Sequence, residues 1–328
     1  MPQIDDKWVR EAGSRFAEAH TLFTPLESFE SSVYAWARNG RRYVLKIVSR
    51  QVKTEAELLG EIDFVHFAAA HGVPVARAVA SHHGCYVESV DDPSGAGYWV
   101  YAFEWAEGEM SNPQAWGPEL FEQWGRLTGK LHRIASQYEP SKPQWKRHRW
   151  DEEELFRTAL SVLAEEPKLS EALSGCLQRL KQLPEQPHQF GLIHNDLHFR
   201  NFHVHNGRLI VFDFAGMLYH HFVNDIAVAL YYAVSGDRSS KDKASFAQLF
   251  MHHFMEGYAV SQPTPKGMLH PVPDWMLLRH LLLYTAYLRS WEAADRTTMQ
   301  RWTLNRYRTD LLEGKLFGGI DFSFVSFL

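Results

Sequence analysis

Cysteine is nearly absent from this 328-residue chain: Cys85 and Cys176 stand far apart in unrelated settings. That excludes a disulfide framework and a thiolate metal site, and it suits a reducing compartment. Basic charge is not in excess either. Lys and Arg number 34 against 39 Asp and Glu, a net charge of −5 with histidine neutral. A broad nucleic-acid footprint needs a basic face and is not expected. The one basic run, Lys146-Arg147-His148-Arg149, reads as a solvated turn before a helix. Long hydrophobic runs are missing. The strongest, over 281–288, is too short to span a bilayer, and Asp5, Asp6, Lys7 and Arg10 occupy the place where a secretory leader is apolar. A cytoplasmic protein with no membrane segment is the expectation. Neither internal repeats nor low-complexity segments occur. Eighteen histidines include no helical His-Glu-x-x-His, so the pattern of a zinc hydrolase is lacking. His82-His83 and His252-His253 read as surface or partly buried histidines.

What is present is ordinary globular material. Apolar residues make up 45% and charged residues 22%, enough to build a core. Trp8, Ala12, Phe16 and Ala19 fall at helical spacing in the first twenty residues. Strand-like segments at 32–38 and 41–48 flank Asn39-Gly40, a pair that supplies the positive φ values of a tight hairpin. In the second strand Tyr43, Leu45 and Ile47 share one face, and Val44, Lys46 and Val48 the other. By default such a lysine reaches solvent from an edge strand. A helix over 54–71 follows, with Thr54 as N-cap and Glu57 three residues on. Strands are expected at 76–81 and 98–103, then a connector at 104–108. Beyond Pro118 the pattern is helical, over 120–138, 152–163, 170–183 and 277–291. It is broken by a strand at 191–194 and a second Asn-Gly hairpin, 202–205 and 209–214. Tyr284, Tyr287, Leu288 and Trp291 form a stripe that reads as core. Arg279, Arg289 and Glu292 beside it are candidates for a charged acceptor without an assignable place. The expected fold is α+β, with a small antiparallel-sheet lobe over 1–104 and a larger, mostly helical lobe over 105–328.

The chemistry concentrates at His194-Asn195-Asp196-Leu197-His198-Phe199-Arg200-Asn201. Asp196 and Asn201 stand five apart, and Asp213-Phe214 closes the second hairpin. Phosphoryl transfer uses this set: one carboxylate takes the proton of the attacking hydroxyl, while an amide oxygen and a second carboxylate hold Mg²⁺ on the nucleotide phosphates. Lys46 suits the α- and β-phosphates, and a glutamate of the following helix, Glu55, Glu57 or Glu61, suits Lys46.

At this point the chain resembles the aminoglycoside phosphotransferase (phosphotransferase enzyme) family of the protein-kinase-like fold. The resemblance covers roughly 26–312. It rests on Ser32-Val33-Tyr34, Tyr43-Val44-Leu45-Lys46-Ile47, Gly72-Val73-Pro74-Val75, Gly125-Arg126-Leu127-Thr128-Gly129-Lys130-Leu131-His132, His194-x-Asp196-Leu197-His198-x-x-Asn201, Asp213-Phe214 and Asn224-Asp225-Ile226-Ala227. It implies a two-lobe fold and ATP with Mg²⁺ as cofactors. Asp196 would be the base, Asn201 and Asp213 the metal ligands, and Lys46 with Glu61 the phosphate clamp. The spacing from Glu61 to Gly72-Val73-Pro74 favours Glu61 over Glu57. His194 and His198 would support the loop and Asp225 brace it. Glu104, Trp105 and Ala106 would hold adenine through the backbone, and the turn Phe29-Glu30-Ser31-Ser32 would cover the phosphates. The small lobe is similar to the stress-response kinase and homoserine-kinase-like branches.

Departures from the family pattern are Asn195 in place of Gly, Phe199-Arg200 in place of a small pair, Ala215 in place of an acid, and no glycine in the phosphate-covering turn. The implied reaction moves the γ-phosphoryl group of ATP to a hydroxyl of a small acceptor. Two other readings are a Ser/Thr protein kinase and a non-catalytic nucleotide-binding module. Little room follows Asp213-Phe214 for the activation segment of the first. The acceptor, the choice of ATP or GTP and the oligomeric state are not written in the residues.

Overall fold

The computed structural model describes residues 6–18, 20–26, 31–237 and 240–327. Asp5, Ala19, Phe29 and Glu30, named above, lie outside them. The chain divides into two compact units. The first comprises Met1–Glu109, Tyr138–Arg147 and Phe202–Ala215; the second comprises Met110–Gln137, His148–Asn201 and Gly216–Leu328.

The first unit is built on an antiparallel sheet. Its strands are β1 (Thr24–Leu26), β2 (Ser32–Arg38), β3 (Arg41–Ser49), β4 (Ala78–Val79), β5 (Val87–Asp91) and β6 (Gly97–Glu104), in the order β1-β2-β3-β6-β4, with β5 also on β6. Asn39 and Gly40 have φ of 52° and 74° and join β2 to β3, the left-handed pair a two-residue hairpin needs. Tyr34, Trp36, Tyr43, Leu45, Ile47, Val100 and Ala102 form one apolar face. Trp8, Val9 and Ala12 of helix α1 (Asp6–Gly13), with Phe16 beyond it, bury that face. Lys46 lies on the opposite face. It is not an edge residue: β3 pairs with β2 and β6, and Lys46 is only 8% exposed. Only Ala78–Val79 of the stretch expected at 76–81 is strand. β1 and β5 had no recognisable pattern beforehand, because their regularity comes from pairing with neighbours rather than from their own alternation.

Helix α2 (Glu55–Ala70) starts with a full capping box between Thr54 and Glu57. The segment Tyr138–Arg147 straps it. Asp63 accepts from the Tyr138 hydroxyl at 2.7 Å and the Ser141 amide at 3.0 Å, and a Cβ on Gly60 would come 2.4 Å from the Trp145 carbonyl. Arg147 corrects the reading of the basic run as a solvated turn. It is 6% exposed, and it donates to the carbonyls of Glu57 and Ala215 at 3.2 Å each. The hairpin Phe202–His205 and Arg208–Val211 turns through Asn206-Gly207, with φ of 49° and 73°. Val211 is fastened to the 74–76 stretch by its amide on Pro74 and its carbonyl on Ala76.

The second unit is mostly helical. Helix α3 (Pro118–Ala135) lies against the helix Lys243–Ala259 at unusually close range. A Cβ on Gly125 would sit 1.8 Å from the Phe254 carbonyl, on Gly129 2.6 Å from that of Tyr258, and on Gly257 1.9 Å from that of Glu122. Phe121, Trp124, Phe250 and Phe254 interlock around that crossing. The strand Phe190–Ile193 pairs with Leu218–His221. The second of these was expected only as a passage to the next helix. Helices Glu154–Val162, Pro167–Leu180, Phe222–Gly236, Val272–Ser290 and Thr298–Glu313 are its other α-helices among the described residues. In the stripe read as core, Tyr284 is buried while Tyr287, Leu288 and Trp291 are half-buried, with Tyr287 stacked on Trp291 at 4.4 Å. No helix among the described residues is long and apolar enough to cross a membrane.

Two outcomes are expected. Gly257→Ala forces two backbones apart and lowers unfolding free energy by at least about 2 kcal/mol, whereas Gly40→Ala, with nothing within 4 Å, costs about 1 kcal/mol of backbone strain. Urea titrations of both variants check this. His280 is buried and stacked on Tyr307, and burial pushes it down to about 4. The unfolded chain takes up this proton below pH 6.5 and the folded chain does so only near 4. Stability is therefore intact above 6.5 and falls by up to about 3 kcal/mol on acidification through that window. His280→Gln reduces that loss, read from unfolding curves at pH 7 and 4.5.

Candidate active site

In the first unit, Lys46 is the centre of a charge cluster. Its Nζ is 2.7 Å from Asp213 Oδ1 and 3.9 Å from Glu61 Oε1. Tyr101 and Phe103 of β6 lie within 6 Å. Burial alone would push the ammonium's pKa down. Asp213, then Tyr101 and Glu61, more than reverse this and hold it well above the ordinary lysine range. Glu61 is 1% exposed, and its Oε1 has no hydrogen bond among the described residues. Burial raises its pKa against the pull of Lys46, because Lys46 spends its short contact on Asp213. Glu57 faces elsewhere, closing the capping box and lying 3.8 Å from Lys53. The structure thus brings Glu61, not Glu57, to Lys46.

Asp213 has φ of 64°, a left-handed conformation that Asp adopts more readily than most residues. Its side chain is 45% exposed. Phe214 beside it is buried against Phe64 of α2, so α2 supports both Glu61 and the Asp213 turn. A cavity of about 510 Å³ is lined by Arg42, Tyr43, Val75, Glu104, Trp105 and Ala106 among others. The amide of Trp105 donates to Arg42, and the carbonyl of Ala106 accepts from His203 Nδ1 at 2.7 Å. Ser31 and Ser32 are half-buried, with Ser32 opening β2. Ser31 lines a small cavity with Glu61 and Tyr101.

In the second unit, Asp196 follows the strand Phe190–Ile193. Asp225, with no exposed surface, pins the intervening turn. It accepts the amides of His194 at 3.1 Å and Asn195 at 2.7 Å, and faces Nε2 of buried His132 at 3.1 Å. Asn195 has φ of 66°. That explains the departure from glycine: asparagine tolerates the left-handed region, and here it adds bonds to Gly216 and Asn224. The Asp196 amide donates to His194 Nδ1 at 3.3 Å. Asn201 Nδ2 lies 2.9 Å from the Asp196 carbonyl and 3.2 Å from its Oδ2, and His198 Nε2 is 3.3 Å from Oδ2.

Two residues of this cluster were not located beforehand. Arg279 donates to Asp196 Oδ1 and to the Tyr232 hydroxyl. Burial would raise the Asp196 pKa, but Arg279, then His198 and His194, hold it well below the usual carboxylate range. A signal for Arg279 did exist, a charge set inside an apolar helical run, which demands a partner. Tyr232 left no signal, since it sits in an ordinary apolar helix. Among the described residues one further group could ligate a metal, His252, His253 and Glu256 on a helix surface.

The chain can now be set beside known proteins. The model of the phosphotransferase enzyme family matches residues 23–260. The chain belongs to that family. The amicoumacin kinase of Bacillus subtilis (strain 168) is 30% identical over 323 residues, 97% of this chain and 95% of that protein. A solved amicoumacin kinase in complex with AMP-PNP and Ca²⁺ has a TM-score of 0.90 at 30% identity, covering 97% of this chain and 96% of that one. Spectinomycin phosphotransferase, 12% identical with a TM-score of 0.61 over the whole of this chain and 98% of that one, shares the fold. This phosphotransferase therefore has the kinase-like two-lobe fold and is an ATP-dependent enzyme acting on a small-molecule hydroxyl.

Removing the Asp225 carboxylate takes the acceptor away from the amides of His194 and Asn195 and the partner away from His132 Nε2. Asp225→Ala is expected to cost about 3–5 kcal/mol and to abolish turnover, as denaturation and ATP-consumption assays will show.

Proposed function

We propose that this phosphotransferase transfers the γ-phosphoryl group of Mg-ATP to a hydroxyl of amicoumacin or a compound like it, with Asp196 as base. The observation that carries this is the Asp196 cluster, an ionised carboxylate held by Asn201, His198 and Arg279 at the end of a strand. The acceptor is suggested by 30% identity to an amicoumacin kinase across 97% of the chain.

The oxygen-rich donor set fits a hard divalent cation. Asn201 has its Nδ2 engaged on Asp196, which leaves its carbonyl oxygen as ligand atom, and Asp213 offers a half-exposed carboxylate. Asn201 and Asp213 would each offer an oxygen to Mg²⁺, which would neutralise charge on the phosphates. Lys46, backed by Glu61, binds the α- and β-phosphates. Glu104, Trp105 and Ala106 hold adenine by the backbone, and Ser31 and Ser32 cover the phosphates. His194 and His198 keep Asp196 in place. The hydroxyl gives its proton to Asp196, its oxygen bonds to the γ-phosphorus, and the bond from that phosphorus to the β-phosphate bridging oxygen breaks. Residues 1–104 then serve mainly the nucleotide, and 105–328 the base and acceptor. Dependence on ATP supports a cytoplasmic location. The strand Leu218–His221 begins soon after Asp213, which supports a small acceptor over a protein substrate.

The test is Mg²⁺-dependent ATP consumption with amicoumacin, aminoglycosides, amino alcohols, amino acids and a generic protein. Amicoumacin-stimulated turnover is expected, falling about 10²–10⁴-fold in Asp196→Ala while nucleotide binding persists. Stimulation by other compounds alone refutes the acceptor, and failure to bind Mg-ATP refutes the mechanism. Glu61→Gln should weaken turnover far more than Glu57→Gln.

A further inference from the structure

The base has an occupant that lies outside the sequence motif. Oδ2 of Asp196 faces Asn201 and His198, and Oδ1 is taken by Arg279 from the helix Val272–Ser290. The guanidinium also bonds the Tyr232 hydroxyl at 2.8 Å and lies 5.2 Å from that ring's centre. Its Nε is buried with no hydrogen-bond partner among the described residues, and Asp196 is its one carboxylate partner among them. A guanidinium carries five donors in a rigid planar fork. A buried donor left idle is costly until an acceptor completes it.

A hydroxyl that surrenders its proton to Asp196 needs an oxygen of that carboxylate. Oδ2 already meets two groups, so the hydroxyl shares or displaces the bond at Oδ1. Either way, the acceptor atoms two or three bonds from the hydroxyl fall beside the remaining N–H groups of Arg279. The neighbouring side chains offer little competition, being largely aromatic. Tyr232 lies 4.4 Å from His198, and Phe199 packs on Trp116 at 5.0 Å. The last two rest on Gly236, where a Cβ would come 2.7 Å from Phe199 and 3.0 Å from Trp116. The departure at Phe199 thus builds an aromatic patch near the base.

We propose that Arg279 selects acceptors carrying a carbonyl group, of an amide or a carboxylate, whose carbon lies two or three bonds from the oxygen to be phosphorylated. This rests on Asp196 being the base. With such an acceptor the guanidinium passes to the carbonyl and frees Oδ1 for the hydroxyl. A plain alcohol offers Arg279 nothing and leaves it on Asp196.

L-serinamide, L-serine and 2-amino-1-propanol share an amine and a hydroxymethyl group. They differ in carrying a carboxamide, a carboxylate or a methyl group. Their dissociation constants are measured by ligand-observed NMR on the full chain with AMP-PNP and Mg²⁺, for wild type, Arg279→Met and Arg279→Lys. Wild type should prefer at least one carbonyl compound over 2-amino-1-propanol by about tenfold or more, and which one it prefers separates amide from carboxylate recognition. Arg279→Met should bring all three to within about twofold. Should that variant fail to fold, Arg279→Lys, which keeps the charge and loses the fork, should cut the preference several-fold. Equal binding in wild type, a preference that survives in the variants, or no binding of any probe overturns the proposal. Because binding is read without turnover, a failure of the phosphotransferase mechanism would show separately, as absent ATP consumption with every acceptor.

Discussion

A single buried carboxylate organises the loop that carries Asp196. Asp225 has no exposure and collects the amides of His194 and Asn195 and the imidazole of His132. These donors come from the strand end, from the turn and from helix α3. Charge-assisted bonds to backbone amides are strong and directional, so they fix a peptide turn that left-handed Asn195 would otherwise destabilise. His132 is held in turn by Tyr258 at 2.9 Å and stacks on Phe222 at 4.4 Å. Tyr258 belongs to the helix that crosses α3 at the glycine contacts. The position of Asp196 is thereby tied to the packing of two long helices.

Each of the two carboxylates proposed to take part in the chemistry is matched by a cation, one buried and one half-buried. Lys46 sits on Asp213 and Arg279 on Asp196. Pairing with Arg279 keeps Asp196 ionised despite its partial burial. Pairing also gives each cation a role beyond stability, since whatever engages the acid must repartner the cation. Lysine suits the phosphates as a compact point charge, whereas the planar fork of arginine suits a carbonyl or carboxylate. Glu61 stands behind Lys46 as an alternative partner, and the Nε of Arg279 stands as an unfilled donor.

Local signals were readable where chemistry is local. Both Asn-Gly hairpins, the Thr54–Glu57 capping box and the alternation along β3 each depend on a few adjacent residues, and each has its expected form. The departure at Asn195 was visible as a departure, but its reason is a φ angle. Arg147 was misjudged because a run of basic residues resembles a solvated turn, and only the strapping of α2 buries it. The strand Leu218–His221 was overlooked because its pairing with Phe190–Ile193 is set by a partner distant in sequence.

By itself the sequence determined the family and the two-lobe α+β fold, and it offered a set of groups suited to phosphoryl transfer. Motif spacing encodes short-range geometry along one strand, turn or helix, so those features need no knowledge of the rest. Tertiary structure alone decided that Lys46 is central and buried and that Arg279 and Tyr232 reach Asp196, and it set beside Lys46 the Glu61 that the spacing favoured over Glu57. Those outcomes depend on which faces of separate elements meet. Contacts between residues far apart in the chain leave no periodic trace in its order.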